Sequence, residues 1–244
     1  MIDLHIHVLP GIDDGATSWD EATRMCRMAL DDGCEALVAT PHQRRAWPNH
    51  DVERLERSLR ELRRRVGARP ELLLGGEIHV DSALLDDLDR EGRAGLCPLA
   101  GGRWLLLEFG PMRPAQGARW MVRELVLAGW RPLIAHPEFI PFLADDLDSL
   151  EELVRLGART QVTAMSVTGD FGRKTRDVAH RMIRSDLVHV VASDAHSPQW
   201  RPPGLARARS EMERRWGAEA ARTLVAANPR RVLEDAEIPR GVLA

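Results

Sequence analysis

The sequence predicts an α/β protein: a parallel sheet, closed into a barrel, with helices packed on its outside. Three observations carry that prediction. Strand-like and helix-like segments alternate along all 244 residues with no clear linker, the pattern of a parallel sheet covered by helices. Seven such units occur, which suggests closure, with a doubly wound sheet the alternative that the pattern leaves open. A histidine or carboxylate ends six of the strand segments, at the end where β/α barrels carry their active face.

The units follow in order. Ile2–Val8 reads as a strand and Trp19–Asp32 as the helix after it. Ala36–Thr40 precedes the highly charged helix Asp51–Val66, and Leu72–Ile78 precedes a short helix at Ala83–Glu91. Trp104–Phe109 leads to the helix Ala118–Ala128, Pro132–Ala135 to Asp148–Leu156, and Thr160–Met165 to Thr175–Arg184. Leu187–Ala192 is the seventh strand, followed by helices at Leu205–Trp216 and Ala218–Ala227. Ser18 three residues before Glu21 is a capping-box signal. Gly33 suits a left-handed residue just past a helix end, and Pro229 stops or restarts the last helical stretch.

Composition bounds the rest. With 44% hydrophobic and 29% charged residues the chain is not disordered as a whole, and the absence of a linker makes residues 1–244 one domain. The net charge of −3, from 34 basic and 37 acidic residues, gives no sign of nucleic acid or of an anionic membrane as partner. The run Arg60–Arg65 reads as the solvated face of a helix. No stretch of 18 apolar residues predicts membrane insertion, and the N-terminus lacks the features of a signal peptide. Cys26, Cys34 and Cys97 lack CxxC spacing and predict a reduced, cytoplasmic chain. Lys174 is the only lysine and tyrosine is absent, a compositional bias toward arginine.

Side chains alternate along a strand, so Ile2, Leu4, Ile6 and Val8 should share one face and Asp3, His5 and His7 the other. Two imidazoles two residues apart on one strand reach a single metal ion; two satisfied core histidines are the alternative. The loop Gly11-Ile12-Asp13-Asp14-Gly15 adds carboxylates at the same strand end. Later strands close on Thr40-Pro41-His42, Gly75-Gly76-Glu77, Glu108, Ala135-His136-Pro137 and Ser193-Asp194-Ala195-His196. Carboxylates and imidazoles without thiolates fit hard or borderline ions, and their number predicts a polynuclear metal site.

The pattern His5-x-His7, Asp14, Thr-Pro-His42, Gly-x-Glu77-Ile, Glu108-Phe, Ala-His136-Pro-Glu and Ser-Asp194-x-His196 resembles the polymerase and histidinol phosphatase (PHP) superfamily. It is most similar to bacterial protein-tyrosine phosphatases of the CpsB kind. The stretches Asp3–His7 with Pro10–Gly15, Asp186–His196 with Arg201-Pro-Pro, and Asn228-Pro229 extend the resemblance over the whole chain. It implies a single-domain (β/α)7 distorted TIM-like barrel and three divalent metal ions, manganese by preference, with iron, zinc or magnesium as alternatives. Carried over, His5, His7, Glu77 and Asp194 would hold one metal. Glu77, Glu108 and His136 would hold a second, and Asp14, His42 and His196 the third. His42, Asp194 and Arg201 would serve catalysis, with in-line attack by a metal-bridged hydroxide. The resemblance further implies a phosphotyrosyl protein as substrate, a tyrosine autokinase of exopolysaccharide or capsule regulation.

One position departs from the family pattern. The arginine expected after Ala-His-Pro-Glu is Phe139 here. Arg201 still matches the second phosphate-binding arginine, and Arg44, Arg45 and Arg113 near strand ends are candidates to stand in for the first. Two other functions stay open: a PHP-type phosphatase of a small metabolite such as histidinol phosphate, and a non-catalytic metal-stabilised regulator. Amidohydrolase-type chemistry shares a His-x-His strand, but Lys174 lies outside every strand-end motif. His50, His180 and His189 read as exposed or structural, as does His79 unless it touches substrate. Trp47 and Trp200 read as rim or core residues that can stack on an aromatic leaving group. Asp13 is the alternative ligand to Asp14 if the register slips.

Overall fold

A computed structural model describes residues 1–91, 95–110 and 115–241 of the chain. Arg113 lies outside the described residues. All the strands are parallel. One sheet runs β1 (Ile2–Ile6), β2 (Ala36–Ala39), β4 (Glu71–Leu74). The other runs β3 (His42–Gln43), β5 (Glu77–His79), β6 (Trp104–Glu108), β7 (Arg131–Ala135), β8 (Arg159–Thr163), β9 (Val190–Ala192). The second sheet leads back to the first. Asp194 N donates to His5 O at 2.8 Å and His7 N to Ala195 O at 2.8 Å, beside a parallel bridge between Ile6 and Ala195.

One expected strand, Leu72–Ile78, is broken in two, and Ala36–Thr40 ends at Ala39, with Thr40 and Pro41 separating β2 from the further two-residue strand β3. Pro41 has no N–H for a ladder, and its carbonyl instead accepts from Glu77 N at 3.1 Å. Gly75 and Gly76 separate β4 from β5. A Cβ on Gly75 would lie 2.8 Å from Leu99 and Val38, and one on Gly76 would lie 2.2 Å from Gln43 Oε1. Only glycine permits that approach. The other strand ends also differ from expectation. Residues Ala164–Thr168 form a short helix instead of prolonging β8. Leu187 still belongs to the turn leaving the preceding helix, its N–H bonded to Met182 O at 3.0 Å.

The first strand is not a plain alternation. Its register with β2 shifts between Asp3 and Ile6, a bulge that re-aims side chains. Ile6 and Val8 join the large apolar cluster shared with the helices, whereas Ile2 and Leu4 join a separate cluster with Ala36, Val38, Leu106 and Leu133. The single apolar face Ile2–Leu4–Ile6–Val8 is therefore corrected. Its lower half packs inside the ring of strands and its upper half against the helices, while His5 and His7 both reach the site.

Helices α1 (Trp19–Asp31), α2 (Val52–Val66), α3 (Ala115–Leu127) and α4 (Arg173–Arg184) cover the strands. Ser18 Oγ accepts from Glu21 N at 3.2 Å as the cap signal predicts, but Glu21 reaches Thr17, not Ser18, with Thr17 N at 2.8 Å. Gly33 has φ 96°. Gly33 N bonds Leu30 O and Cys34 N bonds Ala29 O, both at 2.9 Å, which closes the helix in a Schellman motif. Pro229 does not stop the last helical stretch as expected: Ala227 and Asn228 keep right-handed helical backbone, and a π-helical turn at Thr223–Ala227 leads directly into the helix Asn228–Leu233. The three thiols are buried, and burial pushes Cys26 and Cys97 up to about 12.

The inner cluster supports the floor of the strand ring. Leu106→Ala should destabilise the metal-free protein by about 2–5 kcal/mol, whereas Leu127→Ala, at an exposed position, should change it by no more than about 0.5 kcal/mol. Urea unfolding of the two variants checks this, and equal losses would refute the layering.

Candidate metal centre

Strand register builds the site before any side chain is considered. His42 on β3 pairs with Glu77 on β5, and His79 on β5 pairs with Glu108 on β6. His136 follows β7, and Asp194 and His196 follow β9. The site residues from β1, β3, β5, β6, β7 and β9 thus meet at one end of the strands, together with the loop that carries Asp13 and Asp14.

Glu77 is the centre of this meeting. Its Oε2 lies 3.0 Å from His42 Nδ1, 3.2 Å from His5 Nε2 and 3.4 Å from His7 Nε2. Its Oε1 lies 2.7 Å from His136 Nε2. Asp194 Oδ1 lies 3.3 Å from His5 Nε2 and 3.6 Å from His7 Nε2. Asp14 Oδ1 lies 3.4 Å from His42 Nε2 and 3.5 Å from His196 Nε2. Three groups of side chains offer ligand atoms within 4.8 Å of one another: His7, Asp14, His42 and His196; His5, His7 and Glu77; and Glu77, Glu108 and His136. All nine residues singled out from the sequence come together, and His7 adds to the Asp14, His42 and His196 group. Asp194 stands in none of the three groups but contacts His5 and His7.

The imidazoles are held from behind. His5 Nδ1 lies 2.8 Å from Gln161 Oε1, His7 Nδ1 2.8 Å from Asp13 Oδ2, and His196 Nδ1 2.9 Å from the Asp194 carbonyl. Acceptors at Nδ1 assign the proton there and leave Nε2 as a lone pair aimed inward. His5 Nε2 and His7 Nε2 then stand only 3.1 Å apart, and Glu77 Oε2, fully buried, has no hydrogen-bond partner. Lone pairs facing lone pairs in a buried space are unfavourable without a cation between them. A carboxylate and imidazole donor set suits a hard or borderline divalent ion, so these residues fit the metal that the sequence predicts.

Without an ion, protons gather in its place. Burial opposes charge on His7, but Asp13 and Glu77 outweigh it and push its pKa up to about 9. Burial likewise opposes charge on His42 and His136, yet Asp14 and Glu77 push the first up to about 11 and Glu77 pushes the second up to about 9. Burial would raise Glu77, but the imidazoles hold it well below the carboxylate range. Hydrogen bonds from His196 and His42 lower Asp14, which is 52% exposed. His136 and Asp194 have φ of 33° and 52°. Left-handed backbone at non-glycine residues costs about 1–3 kcal/mol each, and here two such residues sit in the site.

Arg201 bonds Asp194 Oδ2, and its Nε is buried without a partner. Arg44 is 7% exposed and bonds Asp81 at 2.7 Å and Asp87 at 2.6 Å, so two carboxylates already balance its charge. Arg45 and His50 are exposed. Trp47 stacks on His42 at 6.4 Å. His79 Nδ1 lies 3.1 Å from Glu108. His180 packs structurally on Val167 O at 2.9 Å. Burial pushes His189 down to about 3, and it lies 3.1 Å from Arg240 O. Sequence reasoning missed Gln161 and the part of Asp13. A glutamine in the middle of the expected strand Thr160–Met165 was the available signal for the first. Asp13 also accepts from His42 N at 2.9 Å and Gly15 N at 3.0 Å, so it shapes the loop while Asp14 faces the cluster.

Fold and site together define an α/β phosphoesterase-like architecture with a histidine and carboxylate cluster at the strand ends. The family model for capsular polysaccharide synthesis proteins, CpsB/CapC, matches residues 1–234, and the chain belongs to that family. It is 34% identical to the putative tyrosine-protein phosphatase CapC of Staphylococcus aureus, over 83% of this chain and 79% of the relative. It is 28% identical to the tyrosine-protein phosphatase CpsB of Streptococcus pneumoniae, over 96% of this chain and 99% of that one. Among solved structures, one from a crystallographic study of Bacillus subtilis YwqE and S. pneumoniae CpsB, described as metal-dependent tyrosine phosphatases, superposes with a TM-score of 0.91 at 30% identity, covering 98% of this chain and 96% of that one. An Escherichia coli phosphotriesterase homology protein, at TM-score 0.58 and 11% identity, shares the fold alone.

The raised histidine pKa values set a pH dependence. Protonated His7 and His42 stabilise the metal-free fold fully below pH 6.5, their ordinary value, and that contribution is lost as pH rises through about 9 for His7 and about 11 for His42. Melting temperatures of metal-free protein should therefore fall from pH 6.5 upward, and Asp13→Asn should flatten the part ending near pH 9. A flat profile in the unsubstituted protein would contradict the assignment.

Proposed function

We propose that residues 1–244 act as one metal-dependent phosphomonoesterase domain that hydrolyses phosphotyrosine in proteins. The observation that carries this reading is the buried, partnerless Glu77 Oε2 ringed by three imidazole nitrogens. The named activity of the family's members supports it. The metal ligands in this reading are His5, His7, Asp14, His42, Glu77, Glu108, His136, Asp194 and His196, holding three divalent ions with manganese preferred.

Bound ions supply two things: they lower the pKa of water toward neutrality, and they neutralise phosphoryl oxygens. The remaining work falls to the chain. Gln161 and Asp13 hold the His5 and His7 rings in one orientation. Arg201, fixed by Asp194, brings its guanidinium to a phosphoryl oxygen. A phenolate leaving group, with a pKa of about 10, departs without a strong general acid, so the chain need not supply one. Three divalent ions against four ligand carboxylates leave the cluster positive and suited to a phosphate dianion.

The physiological partner in this reading is a phosphotyrosyl protein of capsule or exopolysaccharide regulation, a tyrosine autokinase. The buried, unreactive thiols suit a reducing cytoplasm. Among the described residues no helix is long and apolar enough to cross a membrane. A second reading, hydrolysis of a small phosphorylated metabolite, is favoured by one observation: Phe139 brings no charge where the family pattern has an arginine.

Manganese-loaded protein should release phosphate from a phosphotyrosine peptide, and chelation should abolish the release. Glu77→Gln should lower kcat/KM about 100-fold or more with the far-ultraviolet circular dichroism unchanged. Turnover that survives chelation would refute the metal reading, and a small alkyl phosphate far outperforming the peptide would favour the second one.

A further inference from the structure

Aromatic surface at the rim of the site is left unexplained by any core. Phe139 is 41% exposed, although it sits on a firmly held turn. The turn Pro137–Phe139 is anchored by Glu138, which is buried and accepts from Thr163 N at 2.8 Å and Ser166 Oγ at 2.7 Å. The Phe139 ring lies 5.9 Å from the His136 ring and meets Phe171 edge to face at 5.4 Å. The Arg201 guanidinium lies over Phe171 at 5.8 Å and bonds Asp194. His136, Phe139, Phe171, Arg201 and Asp194 therefore form a continuous arc. Its two ends belong to the cluster and its middle is aromatic.

The arc has a chemical polarity. Arg201 presents a cation beside the cluster, the place for a phosphoryl group. Phe139 and Phe171 present ring edges and faces beyond it, where an ester's organic part must lie. A flat ring gains both apolar burial and quadrupole complementarity from an edge-to-face pair, whereas a straight alkyl chain gains only the first. We propose that Phe139 and Phe171 form an aryl-binding wall: the ring of an aromatic phosphomonoester packs against them while Arg201 holds the phosphoryl group. Ring contact thereby selects the substrate at the position where the family pattern has a second guanidinium. This inference rests on the phosphoesterase reading above and names the side chains that select the ester's organic half. The ring is in contact both before and during reaction, so the wall acts on binding and KM more than on kcat.

Phenylphosphonate and n-butylphosphonate share a headgroup and are not hydrolysed as phosphate esters, so they separate ring recognition from turnover. Calorimetric titration of the manganese-loaded protein with each should show phenylphosphonate weakened about 3- to 10-fold by Phe139→Ala or Phe171→Ala. Butylphosphonate, which loses only apolar contact, should be weakened clearly less, and Phe139→Leu, which keeps apolar volume without a ring, should lower the preference for the phenyl ligand as Phe139→Ala does. With phenyl phosphate as substrate, KM should rise in these variants while kcat stays close to its starting value. Equal weakening of both phosphonates, or weakening of neither, overturns the wall. Absence of any metal-dependent phosphoester hydrolysis overturns the underlying reading instead, so the two failures are distinguishable.

Discussion

Glu77 lies fully inside the ring of strands, and four imidazoles from three chain segments meet its two oxygens. A carboxylate in that position is unfavourable on its own, because burial strips its water and the surrounding rings turn lone pairs toward it. The arrangement is sustained only by positive charge, held as protons on His7, His42 and His136 or as bound cations. Much of the site's architecture follows from this one requirement. Gly75 and Gly76 let the chain break and re-aim Glu77 inward. Pro41 removes a donor where the chain steps from β2 to β3 and brings His42 into register with Glu77, and the register shift in β1 brings His5 and His7 to bear on the same carboxylate.

Order around the cluster comes from residues that do not belong to it. Gln161 and Asp13 fix two rings, the Asp194 carbonyl fixes a third, and Asp3 accepts from Ser193 N at 3.0 Å, tying the first strand to the loop after the last. This last bond spans 190 residues and acts where the ring of strands returns to its start. Together with the backbone bonds from Asp194 N to His5 O and from His7 N to Ala195 O, it gives the histidines of β1 and the Asp194 and His196 pair a common frame. The left-handed backbone at His136 and Asp194 is strain held by that frame, and it sits where charge is most concentrated.

Around this centre the mouth is uneven. On one side Asp14 faces solvent beside His42 and His196; on the other, the aromatic arc through Phe139 and Phe171 connects two cluster residues. Arg44, which from its position resembled a phosphate contact, has its charge balanced by Asp81 and Asp87 in a local network. Among the described residues, Arg201 is a guanidinium beside the cluster, its place set jointly by Asp194 and Phe171. The proposed division of labour, charge at one end of the substrate and ring contact at the other, arises from that asymmetry.

The sequence by itself determined the order of the strands and the identity of the cluster residues, because both are local. Alternating segments of apolar residues predict parallel strands wrapped by helices, and each histidine or carboxylate at a strand end is legible within a few residues of its own strand. It also determined the cap at Ser18 and the left-handed Gly33, which depend on neighbours three or four positions away. What only the tertiary structure decided is non-local. The face exchange along β1 required knowledge of its register with β2. The breaks at Thr40-Pro41 and Gly75-Gly76 required knowledge of what presses on them. The work of Gln161, a partner 156 residues away from His5, and the distinct tasks of Asp13 and Asp14, adjacent in sequence and of the same chemistry, depend on which way each side chain meets its surroundings. Local residue order encodes which groups are available; distance and direction between groups far apart in the chain arise only when the strands close on one another.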